Sequence, residues 1–129
     1  MAGYQKYTEL DVWKQARLLA SAIYEITSAY LKAEQFGIIS QMGRCAVSVP
    51  SNIPEGCGRH HTKETIQFLN IARGSLYELE TQLYISKDLT FISDEQLNIL
   101  LIQIESLGKL LNVFIRFKSS ELKPNKPTN

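Results

Sequence analysis

Cysteine is scarce: Cys45 and Cys57 are the only two in 129 residues. Two thiols make no disulfide framework, so the chain must be held together by its core, and nothing in its cysteine usage points to an oxidising compartment. Net charge is equally scarce, at +1 from 14 basic and 13 acidic residues, which excludes a molecule whose whole surface advertises a polyanionic partner. No segment approaches the roughly 18 uncharged apolar residues that a membrane span needs. The opening MAGYQKYTEL has no apolar region of the kind a secretory signal carries. A cytoplasmic protein that does not enter a membrane is the expectation. No alternation marks a strand and no repeat is visible. Gly56-x-Gly58 alone is a helix-end signal, not a phosphate-cradling loop.

What is present is helical periodicity. Apolar residues make up 44% and charged residues 21%, the balance of an ordinary globular chain, and the length suits one domain. Val12, Ala16, Leu19, Ile23, Ile26 and Tyr30 recur at spacings of three and four. They predict a first helix from about Glu9 to Tyr30, capped by Thr8 with Asp11 in its first turn. Phe36, Ile39, Gly43, Ala46 and Ile53 predict a second helix. Pro50 and Pro54 each remove a hydrogen bond and crowd the preceding turn. The expectation is a kink near residue 50, an end between Ile53 and Gly58, and freed carbonyls met locally by Ser48, Ser51 and Asn52. The small residues Ser48, Ser51 and Gly56 would let a neighbouring helix approach closely. Thr62 reads as the cap of a third helix carrying Leu69, Ala72, Leu76, Leu79 and Leu83 and ending near Leu89. Ser93 and Gln96 form a capping box for a fourth, with Leu97, Leu100, Ile104, Leu107, Leu111 and Phe114. The fold class expected is all-α, an antiparallel up-down-up-down four-helix bundle with a proline-kinked second helix over residues 1–118. Residues 119–129, ending KPNKPTN, read as a disordered polar tail. A full break at Pro50 would leave a three-helix bundle instead.

The fourth helix is more apolar than one core-facing stripe requires. It also carries Ile99, Leu101, Ile102, Leu110, Val113, Ile115 and Phe117. In a four-helix bundle no helix is central, so a second apolar face must meet something else. Self-association is expected, with Leu101, Ile102, Leu110, Val113 and Phe117 as the interface.

Residues with chemical potential are few. Cys45, Cys57, His60 and His61 include a ligand-like Cys57-x-x-His60 spacing. A continuous helix would put Cys45 roughly 18 Å of rise from Cys57, so no metal and no cofactor are expected. Glu78 and Glu80 point to different sides of a helix and make no carboxylate pair. His60 and His61 sit on a connector, where acid–base chemistry is conceivable but solvation is the commoner fate. No enzyme is expected. Charge is uneven along the chain: residues 36–76 carry a surplus of two positive charges, residues 77–115 a deficit of four, and the stretch from Arg116 onward a surplus of three.

Three stretches carry a resemblance. Residues 43–59, GRCAVSVPSNIPEGCGR, residues 10–16, LDVWKQA, and residues 68–83, FLNIARGSLYELETQL, together resemble the 23S rRNA-intervening-sequence proteins in a consistent order from about residue 7 to 117. Cys45 and Pro54 stand where that family usually has alanine, and Cys57 where it often has an aromatic residue. The resemblance implies a four-helix bundle assembled as a ring-shaped homopentamer. A similar protein, the accessory variability determinant of diversity-generating retroelements, binds nucleic acid and a reverse transcriptase, which makes both possible partners. The residues available to meet RNA or DNA are Arg44, Arg59, His60, His61, Lys63 and Arg73, with the lysines Lys118, Lys123 and Lys126. A ring would multiply a weak local surplus, and recognition would rest on backbone charge rather than base reading. The competing expectation is that Arg44 and Arg59 pair with Glu55, Glu78 or Glu80 and hold the bundle together. An oligomeric scaffold for another protein, without nucleic-acid contact, is the alternative function.

Overall fold

The computed structural model describes residues 6–122. Of the tail expected from residue 119, Ser119 and Ser120 instead complete the last helix; the stretch from residue 123, with Lys123 and Lys126, lies outside the described residues. Over the described residues four α-helices make up the fold: α1 (Asp11–Thr27), α2 (Ser40–Cys57), α3 (Thr62–Asp88) and α4 (Asp94–Ser120). Among the described residues there is no strand. The helices are in contact in a cycle, α1 with α2, α2 with α3, α3 with α4 and α4 with α1. Ser48 reaches Ser75, Cys45 reaches Gln82 and Met42 reaches Ser86. Residue numbers fall on one helix as they rise on the other, so α2 and α3 run antiparallel.

The three-and-four spacings fill the interior. Val12, Ala16, Leu19 and Ile23 of α1 meet Met42, Ala46, Val49 and Ile53 of α2. Leu69, Ala72, Leu76, Leu79 and Leu83 of α3 and Leu97, Leu100, Ile104, Leu107 and Leu111 of α4 complete the same core. Tyr30, beyond the end of α1, is buried against Phe91, with ring centroids 5.1 Å apart.

The second helix is one piece through Pro50 and Pro54 and ends at Cys57. The Asn52 amide donates to the Ser48 carbonyl at 2.8 Å and to the Ser48 hydroxyl at 2.9 Å, so the local side-chain bond near the prolines reaches Ser48 and not the carbonyls of Ala46 and Pro50 that the prolines leave free. The Ser48 and Ser75 hydroxyls are 2.8 Å apart. Close approach of α2 to α3 depends on Gly56: a Cβ there would stand 3.0 Å from the Thr65 carbonyl oxygen and 3.2 Å from the Phe68 Cβ. The Thr65 hydroxyl seals the junction by donating to the Gly56 carbonyl at 2.8 Å.

Three local expectations are corrected. Thr8 lies in a short 3-10 turn, Tyr7–Glu9, and Leu10 occupies the cap position of α1 without a side-chain bond. Phe36 is not a core residue but 92% exposed. Gly37, at φ −109° and ψ −112°, breaks the helical phase inside the π-type turn Gln35–Ile39 and turns Phe36 away from the α2 stripe. His61 rather than Thr62 is the cap residue of α3. By length and composition α4 is long and apolar enough to cross a membrane, although Glu105 and Lys109 interrupt it and leave no uncharged run of that length. Its Leu and Ile ridge nevertheless packs in the bundle core.

The α3–α4 turn is a Schellman closure. Phe91 N–H bonds the Ser86 carbonyl and Thr90 N–H the Lys87 carbonyl, with Thr90 held at φ 64° in the left-handed position usually given to glycine. Ser93 then caps α4, accepting from Gln96 N–H at 3.1 Å while the Gln96 side chain accepts from Ser93 N–H at 2.9 Å.

Candidate functional site

The α2–α3 connector is the first candidate. α2 stops at Cys57, where the Gly58 N–H closes on the Pro54 carbonyl, and the chain crosses to α3 through Arg59, His60 and His61. Both histidines and Lys63 are exposed and line a shallow depression with Thr62, Glu64 and, two residues past the end of α4, Leu122. Arg59 is spoken for in part. It pairs with Glu55 at 3.2 Å and lies over the Phe68 ring at 4.6 Å. An exposed pair of this kind is weak, so its guanidinium stays available to a phosphate. Lys118 joins this end of the bundle between the Phe114 and Phe117 rings, 5.9 and 5.8 Å from their centroids.

Arg44 and Arg73 do not join that cluster. Arg44 stands on α2 about 22 Å of helix rise from Arg59. It faces a cleft between α2 and α3 with Gln41, Cys45, Ser48, Ser75 and Glu78. Arg73 ties α3 to α4, donating to Asn112 at 2.9 Å and to Asn70 at 3.0 Å. Its role in the fold is that of a cross-strut. The pairing expected of the arginines with acids is met by Arg59 and Glu55. Among the described residues Arg44 makes no ion pair.

The second candidate is the outer face of α4. Ile99, Ile102, Val113 and Phe117 are 53%, 70%, 57% and 58% exposed. With Leu110 they fall within an arc of about 80° on the helix, at 100° per residue, on the side away from the Ile104–Leu111 ridge. Leu101 and Leu110 pack partly against the core, so the open part of the expected interface is Ile102, Val113 and Phe117, to which Ile99 adds. Beside it, Ala22 and Ile26 of α1 and Ala29 just beyond its end form a mainly apolar cleft with Ile99 and Leu100, edged by Glu25 and Gln96, and Leu18 of α1 is 65% exposed.

A third feature escaped sequence reasoning. Tyr77, Glu80 and Tyr84 of α3 face Leu101, Glu105 and Gly108 of α4 across a groove of about 350 Å³. The i, i+3, i+7 spacing of Tyr, Glu and Tyr was its only signal, and it looks like any solvated helix face until α4 is placed opposite.

Nucleophiles and metal ligands are dispersed. Burial pushes the Cys45 thiol up; the Gln82 amide, donating at 3.5 Å, opposes this and the nearby Glu78 charge reinforces it. Such a thiol is a poor nucleophile. Among the described residues no three His, Cys, Asp or Glu side chains cluster as a metal site would require, and Cys45 and Cys57 are separate free thiols.

Residues 8–113 match the family model of the 23S rRNA-intervening sequence proteins. The chain belongs to that family. Among curated proteins none matches it. A similar solved structure is that of a protein of unknown function from the S23 ribosomal protein family of Bacteroides thetaiotaomicron. It superposes with a TM-score of 0.76 at 24% identity, over 81% of this chain and 95% of that one; the likeness is one of fold.

Proposed function

We propose that this member of the 23S rRNA-intervening sequence protein family is a non-enzymatic, self-associating accessory protein whose assembled form binds RNA or DNA through the cations at the connector end of the bundle. The outward apolar stripe of α4 carries the proposal. Burying the exposed half of Ile99, Ile102, Val113 and Phe117 is worth about 1 kcal/mol each. Together they would favour association over solvation by about 4 kcal/mol per protomer. A closed ring needs two different faces on each protomer. The stripe supplies one, and the flank of α1 with Leu18 and the Ala22–Ile26–Ala29 cleft supplies a candidate for the other. Ring closure then gathers Arg59, His60, His61 and Lys63 from every protomer on one rim, which is how a chain of net charge +1 would hold a phosphate backbone.

The test has two arms. Light scattering on Ile102→Asp, Val113→Asp should give a folded monomer where the parent is an oligomer; a parent that is monomeric at all concentrations sinks the proposal. Binding of a structured RNA by the oligomer should weaken steeply with salt and be lost in Arg59→Glu, Lys63→Glu. An intact oligomer that binds no RNA even at low salt would favour the second reading, a scaffold for another protein such as a reverse transcriptase. Arg73 donates to Asn112 and Asn70, neutral acceptors that leave its charge in place.

A further inference from the structure

The groove between α3 and α4 has a chemistry of its own. Tyr77 and Tyr84 are about half exposed and stand two turns apart on α3, with Glu80 between them on the same face. Glu80 is partly buried, yet among the described residues its carboxylate makes no ion pair. On the opposite wall Glu105 is held by Lys109 at 3.4 Å, with both side chains about three-quarters exposed, a contact that a better cation can displace. The surrounding stretch, residues 77–115, carries the deficit of four charges noted above.

Gly108 is the independent observation. It is buried in the middle of α4, where glycine costs helix stability relative to alanine. Packing does not demand it, because a Cβ there would meet the Leu76 side chain at 3.7 Å, an ordinary contact. What the missing side chain leaves is open space lining the groove. Gly56 is different, since a Cβ there would crowd the Thr65 carbonyl at 3.0 Å and force α2 and α3 apart.

We infer that this groove receives an arginine-bearing segment of a partner polypeptide. A guanidinium is planar, stacks on phenol faces and donates in pairs to a carboxylate. Two Tyr rings flanking the unpaired Glu80, with Glu105 across the gap, present those acceptors together. Lysine, with a compact and strongly hydrated head, gains less from the rings. The groove looks out on the α3 side of α4, whereas the Ile102–Val113 stripe faces away from the core. The inference uses neither the exposed Ile102, Val113 and Phe117 nor the connector cations; of the expected interface only Leu101 lines the groove.

The experiment is fluorescence polarisation of a labelled tetra-arginine peptide on the full-length protein in its assembled form at near-physiological salt. A tetra-lysine and a tetra-glutamine peptide serve as comparators. The arginine peptide should bind more tightly than the lysine peptide, and tetra-glutamine should not bind. Glu80→Gln and Tyr84→Ala should each weaken binding about tenfold, the loss of one charge-assisted pair or one stacking partner. Lys109→Ala should tighten it severalfold, because Glu105 is released. Glu95→Gln, in the first turn of α4 and outside the groove, should change nothing. No binding of the arginine peptide overturns the inference. So does an equal loss in Glu80→Gln and Glu95→Gln, the mark of diffuse charge attraction, or unchanged affinity in Lys109→Ala. Circular dichroism of each variant separates a lost site from a lost fold.

Discussion

The same substitution, glycine to alanine, should move stability in opposite directions at two positions of this bundle. In a helix interior alanine is favoured over glycine by up to about 1 kcal/mol. At Gly74, in the exposed middle of α3, a Cβ would meet nothing within 4 Å. Gly74→Ala should therefore stabilise by about 0.5–1 kcal/mol. At Gly56 the propensity gain is smaller, because the residue lies in the last turn of α2. The new Cβ would stand 3.0 Å from the Thr65 carbonyl oxygen. That atom belongs to the backbone of α3, so it cannot swing aside as a side-chain tip could. Relief requires the two helices to part by several tenths of an ångström, against the buried Thr65–Gly56 hydrogen bond of 2.8 Å and the packing of Ile53 and Leu69 in the core. Overpacking of this kind costs about 1–3 kcal/mol.

The net expectation for Gly56→Ala is a loss of about 1–3 kcal/mol, and the gap between the two variants about 1.5–4 kcal/mol. Thermal and urea unfolding at matched protein concentration read this directly. At about 4 °C per kcal/mol for a domain of this size, Gly56→Ala should melt about 4–12 °C below the parent and Gly74→Ala a few degrees above it. If Gly56→Ala were as stable as Gly74→Ala, close approach of α2 to α3 would not be what fixes this glycine, and the reasoning about the proline-rich helix would fail with it.

Three further outcomes follow from the same geometry. A double-mutant cycle on Arg73→Ala and Asn112→Ala should return a coupling of about 1 kcal/mol, as expected for a part-buried, charge-assisted bond; additive effects would mean that the strut carries no load. Thr90 holds a β-branched side chain at φ 64°, so Thr90→Gly should raise the melting midpoint by a few degrees, and a lower midpoint would show that the Thr90 side chain compensates for its backbone. Burial raises the Cys45 thiol above its ordinary 9.0 and the Tyr30 phenol above its ordinary 10.0. Both protons are then held more tightly in the folded chain, so stability should be level below about pH 9 and fall as the pH rises through the folded values; a Cys45→Ala variant should lose part of that alkaline decline, and an identical profile would remove Cys45 as a cause.

The helical stripes were readable because burial in a bundle follows a period of 3.6 residues, and Leu69, Ala72, Leu76, Leu79 and Leu83 have no other phase to adopt. The helix ends were less readable. Thr8 and Thr62 have the composition of caps, but a cap is fixed by where the backbone leaves helical dihedrals, and that happened two residues after Thr8 and one before Thr62. Phe36 misled for a related reason: a single non-helical residue, Gly37, shifts the phase of everything before it, and periodicity assumes a phase that is never interrupted.

The side chains of the candidate sites were legible only where sequence neighbours meet. Arg59 and Glu55 are four apart on one helical path, so their pairing was open to inspection. Arg73 finds Asn112 across 39 residues, and Glu80 finds itself opposite Gly108. Both depend on the rotation of α4 about its own axis, which the apolar pattern leaves loose because α4 is greasy on two sides. That same excess is why a role in assembly could be proposed from sequence and the groove could not: an apolar residue announces burial in any phase, whereas Tyr, Glu and Gly acquire meaning only once a facing wall is in place. If Lys109→Ala does tighten the hold on an arginine peptide, the phase of α4 that brings Glu105 opposite Glu80 is functional geometry and not just a consequence of packing Ile104, Leu107 and Leu111.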